Sequence, residues 1–432
     1  MGKGPFLFYN LSNMTYLNKN LEQFRKDLEG LIKYDTVLYS KEDYPTQGMK
    51  DSLSYMEELG KREGMKYYTD PKGYYGYLEI GEGEEMLGIV GHIDVVSPGS
   101  IEDWTNDPFT LTIDGDKWIA RGTQDMKGPV MLMFYLMKQI LEEDIELNKR
   151  VRLIYPTDEE SYWRGIEKYN ELEEAPTFGF TPDSRFPVTF LERESIGIRV
   201  TGPSFNKGKI KGGVSINAVP SEATFINKEG NTLVKEGKAA HAMDPTKGIN
   251  AIQKLINSLD IDHPMINFIK DKVKYEVNGE TLFGKLITDE YSTQTFNIGM
   301  IEMNEKGSMF TIDMRIPITD NADNLETIIK SEAENYGLTL KRIKHHDKLL
   351  VEKDSKLVAT LTNAYNLVTG TKLEPVAIGG GTYARAVANT VAFGTLMPEE
   401  LDTMHQVDES MNIEKVKQAY QIFEIAIKEL IK

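Results

Sequence analysis

The chain has 432 residues, 40% of them hydrophobic and 27% charged, and a formal net charge of −17. That length favours more than one domain, and an acidic surface argues against nucleic acid or an anionic membrane as the main partner. Cysteine is absent; disulfides, thiolate metal sites and cysteine nucleophiles are thus excluded, any metal must be held by His, Asp and Glu, and a cytoplasmic location is expected.

Positions 1–10 carry no long apolar stretch behind a basic start, so no secretory leader is expected. Phe6 spoils the myristoylation pattern that Gly2 would open. No apolar run reaches the roughly 18 residues a spanning helix needs. Tyr16 to Lys33 sets Leu21, Phe24, Leu28 and Leu31 at helical spacing, and Gly48 to Glu63 repeats the pattern. Gly76 to Glu79 and the apolar Met86 to Val90 read as strands. Gly128 to Glu143 reads as a helix with Pro129 in its first turn, and Val151 to Tyr155 as another short strand. Strand, helix, strand at this spacing predicts an α/β fold with a mostly parallel central sheet and helices on both faces.

After Pro187 the texture changes. Val188 to Val200 and Glu222 to Asn227 read as antiparallel strands, and Tyr291 to Met300 and Ser308 to Pro317 as strands. Gly248 to Leu259 and Asn324 to Tyr336 read as helices. Helical patterning returns at Lys356 to Val368 and Asn412 to Lys432. This predicts a catalytic domain in two parts, 1–187 and 348–432, with an inserted α+β lid domain at 188–347.

Chemistry-bearing residues gather where strands give way to loops, the usual place for ligands in α/β sheets. Gly91-His92-Ile93-Asp94 follows a buried strand. Residues two apart in an extended segment share a side, so Asp94 can orient the imidazole of His92. Asp125, in Arg121 to Gly128, fits a helix cap or a carboxylate shared by two cations. Thr157-Asp158-Glu159-Glu160 sets three carboxylates side by side, which repel unless something positive stands near. Asp183, between Pro182 and Pro187, suits a turn or a metal. His405 sits in a polar loop. Each signal is weak alone; together they give His, Asp, Glu, Asp, His in order. Of the six histidines, His263, His345 and His346 are expected to face solvent.

With Trp104 to Phe109, Thr181-Pro182-Asp183, Ser215 to Pro220 and Gly379 to Arg385, this set resembles the metallopeptidase superfamily of aminoacylase, carnosinase, succinyl-diaminopimelate desuccinylase and glutamate carboxypeptidase. It is most similar to the dipeptidase V group. The resemblance implies two zinc ions, with manganese and cobalt as competitors for such ligands. His92 and Asp183 would hold one, Glu160 and His405 the other, and Asp125 would bridge them. Glu159 would be the general base on the bridging water, and Asp94 would orient His92. His241 of the lid, with Asn217, would stabilise the oxyanion. Arg315, with Gly380, Gly381, Thr382 and Arg385, would hold the C-terminal carboxylate of a small peptide. The implied activity is that of a dipeptidase, without nucleic acid or membrane partners, as a monomer or a lid-mediated homodimer. An N-acyl-amino-acid deacylase or a carboxypeptidase would use the same metals and base. A catalytically dead metal-binding homologue would not require Glu159.

Overall fold

The computed structural model describes residues 15–432; the leader and myristoylation readings at positions 1–10 lie outside them. The chain forms two compact units. Among the described residues one comprises 15–190, 350–376 and 382–432, the other 191–349 and 377–381.

The first unit is built on a mixed sheet. Lys66–Thr69, Tyr75–Ile80, Arg150–Pro156, Met86–Val90, Phe178–Thr181 and Thr390–Ala392 lie side by side in that order. The centre is parallel: Met86–Val90 pairs with Arg150–Pro156 on one side and with Phe178–Thr181 on the other. Thr390–Ala392 also runs parallel to Phe178–Thr181. The flanks, Lys66–Thr69 with Tyr75–Ile80 and Tyr75–Ile80 with Arg150–Pro156, are antiparallel, so the expected parallel character holds at the core only. Every residue of Met86–Val90 is buried, as befits a strand covered on both faces.

Helix Lys127–Glu142 is buried on nearly all sides, and packs between Leu21–Ile32 and Ile413–Leu430. A helix apolar all round needs such a place. The N-terminal helical stretch breaks at Asn20 into Tyr16–Lys19 and Leu21–Ile32. Helix Arg164–Leu172 has no clear sequence signal, because its apolar face is only Gly165, Ile166 and Tyr169.

The second unit is an antiparallel sheet of seven strands in the order Thr232–Glu236, Glu222–Asn227, Gly208–Gly212, Thr295–Asn304, Gly307–Ile316, Glu194–Gly202, Thr339–His346. Helices Ala251–Ser258 and Ala322–Glu334 bury their apolar stripes against one face, on Ile196, Ile198, Ile298, Ile312 and Met314. Alternation then turns Asp313 and Arg315 to the other face. The run Val188 to Val200 is two strands, interrupted at Arg193. His263 is not solvent-facing: it is buried, and its Nδ1 accepts the Met265 N–H at the start of helix Pro264–Phe268. Among the described residues no helix is long and apolar enough to cross a membrane.

Candidate active site

Three neighbouring parallel strands deliver three of the groups. His92 leaves Met86–Val90, Asp158 to Glu160 leave Arg150–Pro156, and Asp183 leaves Phe178–Thr181. Parallel strands end at one edge of a sheet, so residues far apart in sequence converge there. Asp125 arrives from the turn before helix Lys127–Glu142. Its carboxylate does not cap that helix, whose cap residue is Met126 with no side-chain bond. The turn closes tightly: a Cβ on Gly128 would lie 2.1 Å from the Thr123 carbonyl oxygen, so only glycine fits.

His92 Nε2 lies 3.0 Å from Asp125 Oδ1 and 3.7 Å from Asp183 Oδ2. His405 Nε2 lies 3.0 Å from Asp125 Oδ2 and 3.1 Å from Glu160 Oε2. Asp125 thus turns one oxygen to each histidine. His92 Nε2 and Asp125 Oδ1 are buried, and neither has a partner of hydrogen-bond geometry. Two buried groups that approach closely without bonding are aimed at a shared third point, as ligands of a cation are. Ligand atoms of His92, Asp125 and Glu160 converge within 4.8 Å. The donor set, imidazole and carboxylate only, fits a divalent metal of the zinc, manganese or cobalt kind.

The supporting contacts differ in part from expectation. His92 Nδ1 stands 3.0 Å from the Asp94 carbonyl oxygen and 3.6 Å from its carboxylate. Asp94 Oδ2 instead accepts the Glu160 N–H at 3.1 Å. Asp94 therefore touches both the His92 ring and the backbone of Glu160. The repulsion expected among Asp158, Glu159 and Glu160 is relieved by two partners. Arg164 Nε donates to Asp158 Oδ2 at 2.5 Å, and His405 faces Glu160. Glu159 is the member left for chemistry.

Burial pushes the Glu159 carboxyl well above its usual range; His92 opposes, and Asp183, Glu160 and Asp125 add to the rise. Burial, then Asp125, pushes Asp183 up to about 7. Hydrogen bonds to Asp125 and Glu160 raise His405 to about 11. Burial works to discharge His92, yet Asp125 and Asp94 hold its pKa well above normal. In metal-free protein at pH 7 His92 and His405 hold protons that ligation must expel, so metal affinity should rise with pH. Uptake should release roughly two protons per chain. Calorimetry in buffers of differing ionisation enthalpy measures this; no release would refute the His405 assignment. His92→Ala and Asp125→Ala should each lower bound metal, and unchanged stoichiometry in the purified variants would refute those two ligands.

Sequence reasoning missed Glu409, four residues beyond His405. It is wholly buried and binds the turn that carries Asp125. Only the Arg121 to Gly128 run hinted at it, since a buried arginine needs an acid.

His241 and Asn217 come together in the second unit. Ala218 pairs with His241, and the Ala242 N–H donates to the Asn217 carbonyl at 2.9 Å. His241 Nδ1 accepts the Met243 N–H at 3.0 Å, which leaves Nε2 to carry the proton of the neutral ring. Burial, then Arg315 and Lys344, lowers its pKa and favours that neutral form. Arg315 is held bidentately by Asp313, at 3.0 and 3.2 Å, and donates to the Gly379 carbonyl. Gly380 and Gly381 belong to the second unit, Thr382 and Arg385 to the first. Thr382 Oγ1 caps the short helix Tyr383–Ala386.

The chain matches the model of Peptidase family M20/M25/M40 over residues 88–429. A Staphylococcus saprophyticus protein named "Putative dipeptidase SSP1012" is 32% identical, over 94% of this chain and 96% of its own length. Among solved structures, aminoacylhistidine dipeptidase from Vibrio alginolyticus superposes with a TM-score of 0.64 at 16% identity, covering 98% of this chain and 99% of that one. The YXEP protein of Bacillus subtilis, described as a dinuclear metal binding peptidase, gives 0.54 at 13% identity, covering 95% and 99%.

Proposed function

The chain belongs to peptidase family M20/M25/M40, which makes it a metal-dependent hydrolase of peptide bonds, and we propose that it is a cytoplasmic dipeptidase of the dipeptidase V group that works with two zinc ions. The observation that carries this reading is Asp125, whose two oxygens each face one histidine at 3.0 Å. A carboxylate so placed suits a pair of cations, which would supply Lewis acidity and a nucleophile at neutral pH. His92 and Asp183 would hold one and Glu160 and His405 the other.

The chain's own groups do the rest. Glu159 takes a proton from the attacking water and returns it to the leaving amine. Asp94 keeps His92 and Glu160 in register. We assign to His241, through Nε2–H, and to Asn217 the hydrogen bonds to the developing oxyanion. Ser215 Oγ donates to Asn217 Oδ1, so the amide nitrogen remains the donor end. Arg315, Gly380, Gly381, Thr382 and Arg385 are assigned to the substrate's C-terminal carboxylate. The active species is proposed as a monomer or as a homodimer joined through the second unit, which sedimentation tells apart.

The test is hydrolysis of Ala-containing dipeptides, tripeptides and N-acetyl amino acids, before and after chelation, with zinc or manganese added back. Dipeptide cleavage that chelation abolishes and metal restores is expected. Cleavage of acetylated substrates alone would move the chain to the deacylases.

A further inference from the structure

Arg193 falls between two strands that belong to different sheets, Thr189–Glu192 and Glu194–Gly202, and its side chain turns inward, leaving the residue 9% exposed. Nη1 donates to the Thr293 carbonyl at 3.0 Å and Nη2 to the Met243 carbonyl at 3.1 Å. Among the described residues no carboxylate stands within ion-pair distance of it. Asp289 and Asp244 favour its charge from farther off, while burial first and Arg315 second weaken it. Arg315 itself has Asp313 as counter-ion. Arg193 is thus the uncompensated cation of this region, and a buried guanidinium without an anion is costly to keep.

Arg193 lines a cavity of about 560 Å³ with Asp244, Gln294 and Gly379. Gln294 is 2% exposed. Its Nε2 donates to the Asn278 carbonyl at 3.0 Å, whereas its buried Oε1 accepts nothing. A Cβ on Gly379 would lie 2.3 Å from Arg193 Nη2, so glycine alone lets the guanidinium lie against the backbone there. One wall therefore lacks an anion and another lacks an N–H donor. An inorganic anion would satisfy only the first, and Asp244 disfavours a multiply charged one.

We propose that this cavity of the second unit binds an α-amino carboxylate, with the carboxylate on Arg193 and an N–H on Gln294 Oε1. The same chemistry occurs in a free amino acid and in the C-terminal residue of a peptide; only the second source rests on the dipeptidase reading. The metal-loaded full chain is titrated calorimetrically with L-alanine, acetate and inorganic phosphate. L-alanine should bind more tightly than acetate or phosphate. Arg193→Met should weaken alanine binding by roughly ten- to a hundredfold, the worth of a charge-assisted bond. Gln294→Met should erase the advantage of alanine over acetate; it tests the cavity even if the Arg193 variant fails to fold. No binding of alanine, or binding indifferent to both substitutions, overturns the proposal. A KM for Ala-Ala that rises in Arg193→Met while Ala-Ala-amide cleavage stays constant identifies the peptide C-terminus, and puts Arg193 in place of Arg315 on the substrate's carboxylate. Alanine binding that leaves the KM for Ala-Ala unchanged, with an unaltered acid-to-amide ratio in the variant, identifies the free amino acid. If the wild type cleaves no dipeptide, the dipeptidase reading fails, and the titration still decides on the cavity.

Discussion

Glu159→Gln is expected to lower kcat by about a hundred- to ten-thousandfold, the usual worth of a positioned acid–base group, with bound metal unchanged. The expectation rests on the division of labour within Asp158 to Glu160. Asp158 is spent on Arg164, accepting from Nε at 2.5 Å and also from the Tyr162 and Arg164 backbone N–H groups. Glu160 faces His405 at 3.1 Å. Glu159 lies among the same charges, since His92, Asp183, Glu160 and Asp125 all act on it. It has no such ligand contact. A glutamine there keeps the volume and polarity but can neither take a proton nor return one. Metal analysis alongside kinetics separates the possibilities. Lost activity with intact metal supports the general base. Full activity with intact metal refutes that role. An inactive wild type that binds metal would favour the reading of a metal-binding protein without catalysis.

How much was legible in the sequence follows from how local each signal is. His92, Asp125, Glu160, Asp183 and His405 were readable because each follows a strand or opens a loop, and parallel pairing brings the strand ends to one edge. The apolar run Met86–Val90 and the helix Lys127–Glu142 were readable from composition and the Gly128-Pro129 start. Arg164 was not, since its partner Asp158 is recognised only once residue 158 takes a left-handed φ of 79° and folds the loop back. Burial of His263 was hidden by polar neighbours and arises from its cap on Met265 and the edge of Phe205. Arg193 carried no sequence signal, because its meaning depends on which acids it fails to meet in three dimensions. In general, what a residue's neighbours in the chain determine was visible; what depends on long-range pairing was not.

The same long-range pairing makes Glu409→Gln the second large effect. Glu409 Oε1 accepts three backbone N–H groups, from Gly122 at 3.1 Å, Gln124 at 2.8 Å and Asp125 at 3.0 Å. Oε2 takes Arg121 Nη1 at 2.6 Å. One buried carboxylate thus fixes the turn that aims Asp125, and it does so from a position four residues after His405. Burial, aided by Asp125, pushes its pKa up to about 7, and Arg121 with the backbone donors of Asp125 and Gly122 pulls the other way. Glutamine would keep one oxygen for the three N–H groups but leave the Arg121 charge unpaired and set an NH2 donor against its guanidinium. Breaking one side of a buried pair costs about 3–5 kcal/mol, so urea unfolding of the metal-free protein should show a loss of that order. Metal affinity should fall by about ten- to a hundredfold, as for other groups that orient ligands, in competition with a chelating dye. Arg121→Met added to Glu409→Gln should restore part of the stability, because the orphaned charge goes with it. It should restore metal affinity less than stability, because the amide oxygen of glutamine is a weaker acceptor for the three N–H groups than the carboxylate it replaces. Full recovery of both together would mean that the charge of Glu409 acts only through Arg121, and that a neutral acceptor holds the turn of Asp125 equally well.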